Sequence, residues 1–296
     1  MSTSIFSRLD RDIIHTHILP RLDGTTLTVL SSVCSKLRHM ICHNNENLWR
    51  NIYTSKWPSL LKDPIVNNVI STFPSGYHSF FSDAFPSLHH LNNNSHCSYP
   101  PTIDLIHAFD IYIHGECLTS SVRVQSLNTN CLSFSDLFHV TFDDFNMGHI
   151  HNEEWEEYVA ENLRLSWTDL RLSWIVIDPI RKHAANLIRS SCIPSSVGQT
   201  MHWWGPGEHK ILYEMVMAGE CQVPTEMEMV KCKVSVSCFP NDDGLHLKEV
   251  VVRMNDMISG NLVGLNQCVA ILLNAIQNGE WKKFDLPRGR VCSNGG

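Results

Sequence analysis

The segment Leu9–Arg50, LDRDIIHTHILPRLDGTTLTVLSSVCSKLRHMICHNNENLWR, decides how the chain is read. Apolar side chains fall at Leu9, Ile13, Ile14, Ile18, Leu19, Leu22, Leu27, Leu30, Val33, Leu37, Ile41, Leu48 and Trp49, mostly at helical intervals. That spacing predicts apolar faces on several short helices. Pro20 predicts the end of a first helix over 10–19, because the residue before a proline is pushed out of the α region. Asp23-Gly24-Thr25-Thr26 predicts a turn and a cap for a second helix, Thr26 to Val33, and the pattern stays helical from Cys34 to Cys42. His43-Asn44-Asn45 breaks it, with Asn44 or Asn45 capping a last turn that carries Leu48 and Trp49. So short a span cannot bury a generous core alone. One of its faces must be completed by the rest of the chain or by a partner.

The whole chain has 296 residues, enough for one large or two ordinary domains. It is 43% hydrophobic and 18% charged, a globular composition. Residues 1–60 carry seven Lys/Arg against four Asp/Glu, and the remainder carries 16 against 26. An acidic main body argues against a nucleic-acid partner, which needs a basic surface. The first fifteen residues lack the continuous apolar core of a signal peptide. No stretch is long and apolar enough to predict a membrane span; the nearest, Leu262 to Ile276, is interrupted by Asn266, Gln267 and Asn274. Eleven scattered cysteines predict free thiols in a reducing compartment, the nucleus or cytoplasm, rather than a disulfide framework.

The order Asp12-Ile13-Ile14, Ile18-Leu19-Pro20-Arg21-Leu22, Leu27, Val33-Cys34 with Leu37-Arg38, then Leu48-Trp49-Arg50, resembles an F-box. Asp10 stands where that family usually has an early proline, and Leu37 replaces the commoner tryptophan. Leu-Trp-Arg-Asn-Ile at 48–52, succeeded by Trp57-Pro58-Ser59, further resembles plant F-box proteins whose C-terminal domain has no leucine-rich, kelch or WD repeats. No internal period is visible here either. The resemblance implies a three-helix unit that docks on the Skp-type adaptor of a cullin-based SCF ubiquitin ligase, without cofactor or catalysis of its own. The implied adaptor-binding residues are Leu9, Ile13, Ile14, Ile18, Leu19, Pro20, Leu22, Leu27, Val33, Cys34, Leu37, Leu48 and Trp49. Among them Leu9, Ile13, Leu19, Leu22 and Leu27 are expected to share their core with the adaptor. The alternative is a helical hairpin packed only on this chain.

Four segments are expected: a helical unit over 1–58, a connecting segment over 59–101, a β-rich domain over 102–290 and a flexible tail over 291–296. Trp57 is expected to pack the helical unit against the connecting segment. Tyr77 to Phe85 predicts a short aromatic helix, and Pro86 to Pro101 an exposed polar loop. Phe109, Ile111 and Ile113 alternate with Asp110, Tyr112 and His114, which predicts a half-buried strand, paired across Gly115-Glu116 with Cys117 to Gln125. Trp174-Ile175-Val176-Ile177, closed by Asp178-Pro179, predicts a central strand. Cys232, Val234, Val236 and Cys238 share one face, and Pro240-Asn241-Asp242-Asp243-Gly244 turns that strand back into Leu245 to Arg253. Helices are predicted over Glu153–Leu163 and Leu262–Ile276. The sum is an α+β fold, with the N-terminal helices preceding an antiparallel sheet or sandwich and flanking helices.

No constellation points to catalysis or to a metal. His39 and His43, or His149 and His151 beside Glu153 and Glu154, lack a C-x-x-C or H-E-x-x-H context. The acid pairs Asp143-Asp144, Glu153-Glu154, Glu156-Glu157 and Asp242-Asp243 are sequence neighbours, not carboxylates converging across a cleft. Gly205-Pro206-Gly207 reads as a tight turn beside Trp203 and Trp204, either a sealed hairpin or a binding rim. Two functional readings stand: a receptor that tethers a target protein for ubiquitination, or an F-box protein whose C-terminal domain holds a carbohydrate or other small ligand. Trp174, Trp203, Trp204 and Tyr213 are the candidate ligand or target surface for the second.

Overall fold

The computed structural model of the chain describes residues 10–42, 45–85, 88–89, 104–125, 138–141, 169–189, 192–202, 205–219, 229–241, 244–278 and 280–281. The chain begins with α1 (Arg11–Ile13), which runs on through a π-helical turn (Ile14–Ile18) into a 3₁₀ turn (Leu19–Arg21). Pro20 does not stop the first helix outright but lies in this tightened last turn. Next come α2 (Gly24–Val33), α3 (Ser35–Cys42) and α4 (Glu46–Lys56). Cys34 is fully extended, at φ −157° and ψ 160°, so it separates α2 from α3 where the sequence pattern runs on as helix. Three further helices, α5 (Ser59–Lys62), α6 (Pro64–Ser71) and α7 (Gly76–Ala84), complete the helical layer. Asp63 caps α6 by accepting from Ile65 N at 2.8 Å, with Pro64 at the first helical position, where no N–H is missed.

Beyond the helices lie two antiparallel sheets. The first is ordered β3 (Glu116–Gln125), β2 (Leu105–Ile113), β5 (Arg171–Asp178), β6 (His183–Ile188). The second is ordered β4 (Phe138–Thr141), β10 (Gly244–Asp256), β9 (Met229–Asn241), β8 (Gly205–Ala218), β7 (Ser196–His202). A short pair, β1 (Leu88–His89) with β11 (Glu280–Trp281), and the helix α8 (Leu265–Asn278) complete the described elements. The β2–β3 hairpin turns on His114 and Gly115, both at positive φ (48° and 90°), as a two-residue hairpin that matches strand twist requires. The predicted β9–β10 hairpin is present, with Asn241 paired to Gly244. The Gly205-Pro206-Gly207 stretch opens strand β8 rather than forming a turn, because His202 already pairs with Gly205. α8 starts three residues later than predicted; Leu262 instead bridges to Asn255 and is 48% exposed. The predicted helix over 153–163 lies outside the described residues.

The four-stranded sheet is the middle of the molecule. Every residue of β2 is buried, not alternate ones. The reason is a second layer. Ile106 and Ala108, with Ile175, Ile177 and Ala184, belong to the core of the helices. Leu105, Phe109, Ile111 and Ile113, with Leu172, Trp174 and Val176, belong to a core shared with the five-stranded sheet and α8. Helices thus cover one face and strands the other. In that second core Cys232, Val234, Val236 and Cys238 are fully buried on one face of β9, as their alternation predicts. Burial pushes the Cys238 and Cys268 thiols up to about 12, so they behave as small apolar groups. The fold class is α+β.

Candidate functional site

The helical layer owes its shape to a run of aromatic side chains. Trp57 is 1% exposed and meets Phe80 edge-on at 6.0 Å and Phe81 at 5.7 Å, so it joins the first helices to α7 as expected. Trp49 contacts the same Phe81 at 5.2 Å, and its indole N–H donates to the Ile41 carbonyl at 2.8 Å. Contacts of this kind add about 0.5–1.5 kcal/mol per pair beyond area burial. Phe81 also fixes where α2 can begin. A Cβ on Gly24 would lie 2.1 Å from Phe81 Cζ, so only glycine allows the helix end this close. Asp23 caps that end by accepting from Thr26 N at 2.8 Å, and this bond, its largest influence, holds the carboxyl below its ordinary range. The cap is therefore Asp23 and the helix starts at Gly24, two residues before the predicted start.

With α2 anchored, its faces are defined. Leu27 points into the core at 0% exposure and Leu30 packs on it half-buried, whereas Val29 and Val33, one turn apart, are 50% and 64% exposed. Ile13 is 46% exposed on the turn before, and Pro20 and Cys34 are also exposed. Ile14, Leu19, Leu27, Leu37, Leu48 and Trp49 are buried among the chain's own helices. Ile18 and Leu22 are half-buried beside them, and Leu9 lies outside the described residues. Leu19 and Leu27, expected to share their core with a partner, are buried here in a core that also holds residues of α7 and the first sheet. Val29 is a surface residue that the sequence reading misses, although its position one turn before Val33 is a readable signal.

Of the four aromatic side chains expected as a ligand or target surface in the C-terminal domain, Trp174 and Tyr213 are buried. Trp174 is 0% exposed, stacked between Phe109 and His107, with its N–H donating to His107 Nδ1 at 3.3 Å. His107 in turn donates through Nε2 to Gln125 Oε1 at 2.9 Å, and burial lowers its pKa to about 4, so the ring is neutral. Tyr213 is 2% exposed and donates to the Leu170 carbonyl at 2.7 Å. Both polar rims are satisfied internally, so neither ring lines an open surface. Trp203 and Trp204 lie outside the described residues, as do His43, His149, His151 and the acid pairs at 143–144, 153–154, 156–157 and 242–243. Among the described residues no group of three or more His, Cys, Asp or Glu could hold a metal ion. Among the same residues no helix is long and apolar enough to cross a membrane.

The chain is similar to F-box protein At2g27310 of Arabidopsis thaliana, 29% identical over 283 residues that cover 90% of this chain and 77% of that protein. It is similar to Probable F-box protein At2g36090 of the same plant, 32% identical over 281 residues, covering 94% and 77%. It is also similar to F-box protein At3g44326, again from Arabidopsis thaliana, 34% identical over 203 residues, covering 65% and 51%. No protein-family model matches the chain, and no solved structure does.

Proposed function

The chain belongs to the plant F-box proteins, and on that premise we propose that it is the substrate-recognition subunit of an SCF ubiquitin ligase. The observation that carries the reading is the exposure of Val29 and Val33 on one face of α2, outside a helical core that the chain has completed by itself. Two β-branched apolar side chains held in water on a rigid helix suit a docking face. On this reading Ile13, Pro20, Val29, Val33 and Cys34 touch a Skp-type adaptor, and through it a cullin. Ile14, Leu19, Leu27, Leu37, Leu48 and Trp49 are the support beneath. The protein performs no chemistry. It raises the effective concentration of a target's lysines near a charged conjugating enzyme, with the residues beyond 102 holding the target. It works in the nucleus or cytoplasm. For the alternative of a small-ligand domain, two of its four candidate side chains, Trp174 and Tyr213, give no support, because both rings are packed inside.

Co-expression with a Skp-type adaptor tests the reading. The wild-type chain is expected to co-purify with it, and Val29→Asp combined with Val33→Asp to abolish capture while the melting profile is retained. A wild-type chain that captures no adaptor, or a folded double variant that captures as much as wild type, overturns it.

A further inference from the structure

Each large sheet ends in two edge strands, and an edge strand presents unpaired N–H and C=O groups that invite another chain. Three of these four edges are guarded within the described residues. On β3, Lys62 Nζ donates to the Ser120 carbonyl at 3.5 Å and Arg123 Nη1 to the Val122 carbonyl at 3.0 Å, so cationic side chains lie on the strand. On β6, the Asp83 carboxylate of α7 accepts from Ala184 N at 3.4 Å. β4 is only four residues long. The fourth edge, β7, has none of these devices. It runs for seven residues, Ser196–His202, without a Lys, Arg, Asp, Glu or Pro, and it pairs on one side only, with β8. Ser196, Val197 and Gly198 are exposed, and among the described residues no side chain is bonded to the backbone of this strand.

The residues around this edge define what pairs there. The register places Val197 beside Ile211, which is fully buried in the core between the sheets, and Gly198 beside Lys210. Val197 therefore sits at the open rim of that core, 39% exposed. Gly198 has room for a side chain, since a Cβ there would meet only the Lys210 carbonyl oxygen, at 4.0 Å, and its φ is not positive. A glycine inside a strand without a conformational need for it leaves space for another backbone to approach. Lys210 is exposed and has no carboxylate partner among the described residues. With no side chain on Gly198 in the way, its long stem can carry the ammonium over β7 toward a strand about 10 Å from β8. We propose that an extended segment of the target protein adds to the free edge of β7 as a further strand, with an apolar residue against Val197 and an acidic residue beside Gly198 that pairs with Lys210. This rests on the reading that the residues beyond 102 hold the target. Main-chain hydrogen bonds supply affinity and the two side-chain positions supply selectivity. A second copy of the chain fits less well: β7 paired with itself about Gly198 sets two Lys210 ammonium groups on one face with no acid between them.

Fluorescence anisotropy of the full chain with two labelled, end-capped peptides tests this. In both, valine alternates with threonine; one carries glutamate in place of a central threonine, the other lysine. Saturable binding of the glutamate peptide is expected, tighter than that of the lysine peptide by about threefold or more. Lys210→Glu should reverse the preference. Val197→Lys combined with Gly198→Lys puts charge on the edge and should abolish binding of both peptides. Should that double variant fail to fold, the reversal by Lys210→Glu decides alone. No saturable binding, no preference between the peptides, or a preference that survives Lys210→Glu overturns the site. So does a wild-type chain that elutes as a dimer and becomes a monomer in the folded edge variant, because a second copy then takes the edge. Val29→Asp combined with Val33→Asp is expected to bind the glutamate peptide as wild type does, so loss of adaptor capture and loss of the edge site are read separately.

Discussion

The two faces of the four-stranded sheet are equally dry but differently built. On the face toward the second sheet, Leu105, Phe109 and Ile111 of β2 pack with Trp174, Val176 and the strands opposite, mostly by shape. On the face toward the helices, β2 places Asp110 and Tyr112 in line with Ile106 and Ala108, and both polar groups meet helix ends. Asp110 accepts from Ser59 N and Ser59 Oγ, each at 2.7 Å, at the start of α5. Tyr112 donates to the carbonyl of Lys56, at the end of α4, at 2.6 Å. From α7, Asp83 reaches the backbone N of Ala184 at 3.4 Å. Helices leave unpaired N–H and C=O groups at their ends, and strands do not when their ladder is complete. A sheet face that receives helix ends must therefore carry polar side chains, and one that receives another sheet need not.

The strongest way to break this contrast is to empty each core in turn. Trp174→Ala on the strand side and Trp49→Ala on the helix side are each expected to cost about 3–5 kcal/mol. Because both cores share one sheet, both variants should shift a single unfolding transition, monitored by far-UV circular dichroism and tryptophan fluorescence in denaturant. Two separated transitions would show that the faces are independent.

A second way uses acidity. Burial, the largest influence, raises Asp110 from 3.8 to about 6, so its contribution is full below 3.8 and is lost as pH rises through about 6. Burial lowers His107 from 6.5 to about 4, so its contribution is present above 6.5 and is lost as pH falls through about 4. The two sit on opposite faces of one strand and oppose each other where their windows overlap, between about pH 4 and 6. Asp110→Asn should therefore leave a stability that falls by roughly 3 kcal/mol on acidification over that window, and His107→Asn one that falls by a similar amount as pH rises. Urea titrations at pH 4.5 and 7 check the signs; equal slopes in both variants would refute the opposition.

Gly24→Ala sharpens the helical side alone. The new Cβ must displace Phe81 from between Trp49 and Trp57, at about 1–3 kcal/mol in thermal unfolding. The smallest effect is expected at Val33→Asp, within about 0.5 kcal/mol, because that side chain supports neither core. A large loss there would mean that α2 packs differently.

Much of the fold is legible where local chemistry and pattern agree. The β2–β3 turn is read at Gly115-Glu116 and lies one residue earlier, at His114-Gly115; Pro240 to Gly244 announces the β9–β10 hairpin, and the β9 alternation tells which face is buried. β2 reads as half-buried because Asp110 and Tyr112 look like solvent residues until Ser59 and the Lys56 carbonyl are beside them, more than fifty residues earlier in the chain. Trp174 and Tyr213 read as surface for the same reason: His107 and the Leu170 carbonyl, which satisfy their polar atoms, are distant in sequence. In the candidate site, the order of apolar residues identifies the family, but periodicity alone cannot separate Leu27, facing Phe81's core, from Val33, facing water.

The shared sheet also sets an order in time. The helical segment leaves the ribosome first, yet its core includes Ile106, Ala108, Ile175, Ile177 and Ala184. Those helices pack on one another through Trp49, Trp57, Phe80 and Phe81, but the side of their core that meets the sheet is completed only when residue 184 has been synthesised, about a hundred residues after α7, at roughly 5–20 residues per second. A chain stopped within that interval would keep the helical packing but leave bare the side of the core that Ile106, Ala108, Ile175, Ile177 and Ala184 cover.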